Sequence, residues 1–266
     1  MSAVVRICKL DDVEPERFVT SNIVRPKTLL IIRSVLTLYI WSALLSTWIT
    51  ARSAGGYLRF FTNLSFIGLC FYMLCTCIWS FGYLRQTPTS RVAWLNDRSP
   101  WWARLHQLLY SSIICFHFVV PIVFWTMLSV GMDKMTTVEK WQNVSVHAFD
   151  GVVALSELIL NRNVLVPRHS VIVASVMVLY MFLTFVVYAS DGTWVYPFLN
   201  WSKGPIVAAS YVGIGVGMFI IFFLLMIVHR LRNNWGDRRP VVLELASHQQ
   251  SGSLCKETSA TELNIV

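Results

Sequence analysis

Six apolar runs divide the chain, each near the twenty residues that a helix needs to cross a bilayer. They cover about residues 29–49, 60–81, 109–130, 144–165, 171–189 and 206–228. The fourth stands out. Trp141 to Arg162, WQNVSVHAFDGVVALSELILNR, carries Asn143, His147, Asp150, Glu157 and Asn161 at steps of 4, 3, 7 and 4. On a regular α-helix those steps return to one face. Ionisable groups inside a bilayer cost roughly 2.5–3.5 kcal/mol each on insertion scales, so the stripe is either a functional surface or interhelical packing glue.

Composition agrees with the pattern. The chain is 55% hydrophobic and 14% charged, where a soluble domain has about a quarter of its residues charged. The expected fold is all-α: a polytopic six-helix transmembrane bundle over 29–228, with a polar tail at 1–28 and a basic, then disordered, tail at 229–266. Of the 22 Lys and Arg, 17 fall on the side holding both tails and 5 on the other, with the spans alternating across the membrane. The positive-inside rule then puts both termini in the cytosol, at the endoplasmic reticulum or plasma membrane. The formal charge of +8 is therefore a topology signal, and nucleic acid is not an expected partner. The N-terminal tail lacks a cleavable-signal pattern. Arg33, just inside the first run, is expected to snorkel to the headgroups. The six cysteines lie in spans and cytosolic tails, which implies no disulfide framework, and the Cys75/Cys77 spacing does not suit zinc.

Other features refine this layout. Thr62, Ser65, Tyr72 and Thr76 form a polar stripe on the second run, a weak signal because Ser and Thr commonly back-bond to their own helix. Ser99-Pro100 reads as a helix start. The third run holds His117 and Pro121, a secondary candidate beside a kink. The fifth run reads as scaffold. The aromatic loop SDGTWVYPFLNWSKG, with Asp191 and Trp194, reads as an interfacial lid on the side where the fourth run begins. Gly213 and Gly217 suit close helix packing. The sequons at Asn63, Asn143 and Asn200 lie in or near spans and are expected to be unused.

Depth links two of these runs. Thr62 lies about two residues into the second and His147 about three into the fourth, so at ~1.5 Å per residue both sit just below the outer interface. A hydroxyl, an imidazole and the Asp150 carboxylate meeting there have the logic of nucleophile, base and orienting acid. Asn63 and Asn143 are candidate oxyanion donors, and Glu157 and Trp194 candidate substrate contacts. Glu157 and Asn161 lie deeper, as buried polar groups or lining of a lipid pocket.

FFTNLSFIG in the second run and WQNVSVHAFDGVVALSE in the fourth resemble the two signature regions of the androgen-induced-gene family. That resemblance implies six helices, cytosolic termini and hydrolysis of fatty-acid esters of hydroxy fatty acids by a membrane threonine and histidine. By position these are Thr62 and His147. Rolling-stone-like proteins, linked to cell fusion, are a related branch. The leading expectation is a lipid-ester hydrolase acting among membrane lipids, with no metal and no cofactor. The alternatives are a non-enzymatic adaptor or receptor-like protein and a transporter using Glu157, Asp150 and His147. A metal hydrolase built on His117, His147 and Asp150 lacks recognisable ligand spacing.

Overall fold

The computed structural model describes residues 13–130 and 132–262, with side chains as far as Gly236. Six helices are long and apolar enough to cross a membrane: α1 Pro26–Thr50, α2 Phe61–Arg85, α3 Pro100–Leu128, α4 Thr137–Leu160, α5 His169–Asp191 and α6, whose apolar part is Ile206–Gly236. Helix α6 continues beyond its expected end at Val228, through the basic RLRNNWG segment, and its backbone is helical to Glu262. The described residues contain no strand. The antiparallel helices give the bundle two ends. We call the end with the α2 N-terminus the rim and the opposite one the base.

Local chemistry explains boundaries that hydropathy alone misplaces. Helix α3 begins at Pro100 rather than near 109, because proline suits the first helical position, where an N–H would lack a partner anyway. Helix α4 begins at Thr137 rather than near 144, because Thr136 and Glu139 form a reciprocal capping box. The Thr136 N–H donates to Glu139 Oε2 at 2.8 Å, and the Glu139 N–H donates to Thr136 Oγ1 at 3.3 Å. At its other end α4 stops at Leu160, and the side chain of Asn161 accepts the Asn163 N–H at 3.0 Å.

Helix α3 runs through the middle and touches α2, α4, α5 and α6, while α1 packs on α2 and α4. The continuous core includes Ile40, Phe66, Leu69, Tyr110, Ile114, Val153 and Phe222. Outward positions are apolar too: Ile31, Leu38, Phe71, Leu179, Val186 and Ile220 are exposed, as lipid contact requires. Since lipid tails are as apolar as leucine, burial alone drives helix association weakly, and packing and polar contacts specify it. Gly213 and Gly217 do not supply such packing within the chain, since nothing lies within 4 Å of a Cβ built at either.

The base supplies polar specificity. Arg33 does not snorkel; it is fully buried and grips Glu157 with two parallel bonds, Nε to Oε1 at 2.7 Å and Nη2 to Oε2 at 2.8 Å. Its Nη1 donates to the Phe18 carbonyl at 2.7 Å and to Ser80 Oγ at 3.1 Å. Tyr72 and Asn161 donate to Glu157 Oε2 at 2.8 and 3.0 Å. One ion pair thus ties α1, α2, α4 and the N-terminal segment together. Headgroup access was expected for Arg33 because sequence gives depth without showing that a carboxylate waits on a neighbouring helix.

Candidate active site

Helix α4 is not regular. At Ser145–Phe149 it widens into a π-helical turn, with His147 at its centre. The extra residue in that turn rotates the C-terminal part of the helix relative to its N-terminal part, so the 4-3-7-4 spacing does not produce one continuous stripe. Asn143 and His147 line a rim cavity. Asp150 turns toward α3, and Glu157 toward Arg33.

Asp150 therefore orients a different histidine from the one expected. Its Oδ2 lies 2.8 Å from His117 Nδ1, and His117 Nε2 lies 3.1 Å from the Ser65 carbonyl, with both side chains fully buried. A carbonyl only accepts, so Nε2 carries a proton and a second proton is held between Nδ1 and the carboxyl. The pair fastens α4 and α2 to α3. The metal alternative finds no support: among the described residues no three His, Cys, Asp or Glu side chains form a group able to hold an ion.

His147 is positioned by an aromatic ring. Its imidazole stacks on Phe124 with centroids 3.6 Å apart and planes 4° from parallel. Phe124 opens a second π-helical turn, Phe124–Leu128, three residues after Pro121. The next residue, Trp125, donates its indole N–H to the His147 carbonyl at 2.8 Å, satisfying an acceptor in the disturbed hydrogen-bond ladder. His147 Nδ1 is buried without a partner, and no hydrogen bond to the ring is formed among the described residues.

Thr62 occupies the first turn of α2, buried to 8% exposure as His147 is. Two tyrosines organise that helix start. The Phe61 N–H donates to the Tyr180 and Tyr196 hydroxyls, each at 3.0 Å, and the Tyr180 hydroxyl donates to the Arg59 carbonyl at 2.9 Å. The Tyr196 hydroxyl also engages the Thr62 side chain, and burial pushes its ionisation above the ordinary tyrosine range, keeping it protonated. The Thr62 N–H also faces the Tyr196 hydroxyl, while the Asn63 N–H has no acceptor among the described residues, as expected for the open first turn of a helix.

Two cavities meet at Thr62. The first, about 390 Å³, is of mixed polarity and bounded by Thr62, Asn63, Gln142, Asn143, His147 and Tyr196, among others. The second, about 240 Å³, is apolar and runs between α3, α5 and α6. Thr62, Phe124, Leu128 and Tyr196 line both. The structure thus brings Thr62, His147, Asn63 and Asn143 to one cavity. Glu157 lies at the base, and Trp194 lines neither cavity, stacking on Tyr188 at 4.2 Å. Its neighbours Val195, Tyr196 and Pro197 take the place beside the site. The two asparagines have prior engagements: Asn63 Nδ2 donates to the Tyr57 carbonyl at 2.8 Å and Asn143 Nδ2 to the Glu139 carbonyl at 2.9 Å. Tyr196 and Phe124 had no signal in spacing, because one sits in a loop and the other in an unbroken apolar run.

The FAR-17a/AIG1-like protein family matches residues 27–230, which contain all six spans up to Arg230 and both residues of the rim pair.

The chain belongs to the FAR-17a/AIG1-like family.

This is the androgen-induced-gene family, so the resemblance carried by FFTNLSFIG and WQNVSVHAFDGVVALSE holds over most of the chain. No curated protein and no solved structure matches it. Within this FAR-17a/AIG1-like chain, the two signature stretches line the same rim cavity, one through Thr62 and the other through His147.

Proposed function

We propose that the protein hydrolyses fatty-acyl esters at the rim, with Thr62 as nucleophile and His147 as base. The observation that carries this reading is that Thr62 and His147 line one half-open cavity of mixed polarity, with no hydrogen bond from the described residues to the imidazole. His147 takes the Thr62 proton as Oγ1 attacks the ester carbonyl. The carbonyl π electrons move to oxygen, and the oxyanion is met by the open Asn63 N–H at the positive end of α2. Collapse expels the alcohol oxygen, which takes the proton from His147, and leaves an acyl-threonine ester. A water, deprotonated by the same imidazole, then attacks that ester; fatty acid leaves and Thr62 regains its proton.

Asp150 serves this scheme by fixing α4 against α3 through His117, while Phe124 sets the plane of the His147 ring. The charge asymmetry supports a rim on the non-cytosolic face, where an amphiphilic ester keeps its polar part at headgroup level. The test is hydrolysis by purified protein in mixed micelles. Thr62→Ala and His147→Ala are expected to lose activity by at least a hundredfold while keeping the wild-type melting temperature. Wild-type rates in both variants would refute the scheme.

A second reading has an observation of its own. Glu157 and Asp150, the acidic members of the α4 stripe, are consumed in interhelical pairs, as expected of a non-enzymatic adaptor held together by polar contacts. That reading expects loss of folding on replacing His147, with no loss of turnover specific to Thr62.

A further inference from the structure

The apolar cavity behind Thr62 is a shaped space whose walls have no polar group left to offer a ligand except at the mouth. Met177 and Met181 come from α5, Val123 from α3, and Ile214, Gly215 and Met218 from α6. Its hydroxyls are mostly spent: Tyr180 and Tyr196 on the α2 start, and Thr184 on the Met181 carbonyl at 2.7 Å. The Tyr211 hydroxyl alone is buried without a partner. Tyr211, Gly215 and Phe219 lie one turn apart along α6, so the cavity follows that helix for about 12 Å at ~1.5 Å per residue. From Thr184 to Ala174 it follows α5 for about 15 Å on the same rise. Val178 and Phe219 belong both to its wall and to the exposed, lipid-facing surface, so it opens sideways between α5 and α6.

We infer that this slot holds the acyl chain of the ester, entering from the bilayer between α5 and α6, and that Gly215 and Ala174 set the chain length accepted. The inference rests on the proposed Thr62 chemistry for its reaction, though not for its binding. Continuity decides the occupant: Thr62 lines both the slot and the rim cavity. An ester carbonyl at Thr62 therefore has its acyl tail in the slot and its alcohol part toward His147. An annular lipid tail lodged in the same groove has no reason to end at Thr62.

Gly215 makes the length claim testable, because nothing lies within 4 Å of a Cβ built there. A larger side chain enters the slot without a forced clash. Gly215 is nine residues into α6 from the rim, while Ala174 is seventeen residues from the rim end of α5, so the second lies deeper.

The experiment compares 4-nitrophenyl butyrate, octanoate and palmitate as substrates for wild type, Gly215→Leu and Ala174→Leu. Gly215→Leu is expected to lower the palmitate-to-butyrate ratio of kcat/KM at least tenfold relative to wild type. Ala174→Leu is expected to lower the palmitate-to-octanoate ratio at least tenfold, with a smaller change in the octanoate-to-butyrate ratio. Equal loss at every length in both folded variants, or an unchanged profile in both, overturns the inference. A binding arm separates it from the chemistry. A diazirine-bearing palmitate, photolysed with detergent-purified wild type and with Thr62→Ala, is expected to label the peptide containing Met177 and Met181 in both, and excess palmitate removes the label. Labelling that excess palmitate does not reduce marks ordinary lipid contact and overturns the slot. Competed labelling in a wild type that turns over no ester keeps the slot and refutes the hydrolase.

Discussion

Replacing Arg33 by methionine probes the base of the bundle with a magnitude set by its surroundings. The guanidinium makes four hydrogen bonds, two to Glu157 and one each to the Phe18 carbonyl and Ser80, with 1% exposure on Arg33 and 2% on Glu157. Without Arg33 the Glu157 carboxylate keeps only Tyr72 and Asn161 as donors. Breaking a buried pair from one side costs roughly 3–5 kcal/mol, because the remaining charge is neither solvated nor neutralised. At about 2–4 °C per kcal/mol for a chain of this size, the melting temperature falls by roughly 6–20 °C. Thermal unfolding followed by size-exclusion fluorescence in detergent measures it. Adding Glu157→Gln to Arg33→Met removes the stranded charge and leaves an amide oxygen for Tyr72 and Asn161, so the double variant recovers at least half of the loss. An Arg33→Met protein that melts with wild type would refute the reasoning and mean that Arg33 is hydrated at the membrane surface.

Two further predictions concern the rim. Asp150→Asn weakens the His117 anchor and lowers the melting temperature, yet the folded fraction turns over ester at the wild-type rate, measured as active-site-normalised kcat; a rate falling with unchanged melting would make Asp150 part of the chemistry. Tyr196→Phe removes one hydrogen bond to the α2 start and the contact to Thr62 while Tyr180 still holds Phe61. The expected loss is about 1 kcal/mol, roughly fivefold in kcat/KM, and a loss near a thousandfold would give Tyr196 a direct role.

Much of the bundle was legible in the sequence because lipid imposes length and composition on every span. Six runs of apolar residues and the fourth run's polar exception translate directly into α1 to α6. Less visible was how polar residues find partners. Arg33 and Glu157 are 124 positions apart, and no local rule pairs them. Asp150 sits three residues after His147, a spacing that serves a regular helix, but the π-helical turn rotates it onto His117. Such a turn leaves no periodic mark in hydropathy. Some missed boundaries did carry a signal: the Thr136–Glu139 capping box and the Ser99-Pro100 start both lie outside the apolar runs they open. Depth pointed to Thr62 and His147 by a count that the helix starts overturn: α4 begins at Thr137, which puts His147 ten residues into it, whereas Thr62 is one residue past the start of α2, and the two meet only because both line one cavity. Nothing pointed to Tyr196, because its place over Phe61 is set by tertiary packing of a loop.

The proposed chemistry turns on Thr62 becoming acylated or phosphonylated when a lipid-like electrophile reaches the rim. A long-chain fluorophosphonate incubated with purified protein, followed by peptide mass spectrometry, reads this directly. The expected result is a phosphonyl adduct on Thr62 in wild type, its loss in Thr62→Ala, and strong reduction in His147→Ala with folding intact. An adduct on another residue, or equal labelling of wild type and Thr62→Ala, would contradict a nucleophilic Thr62.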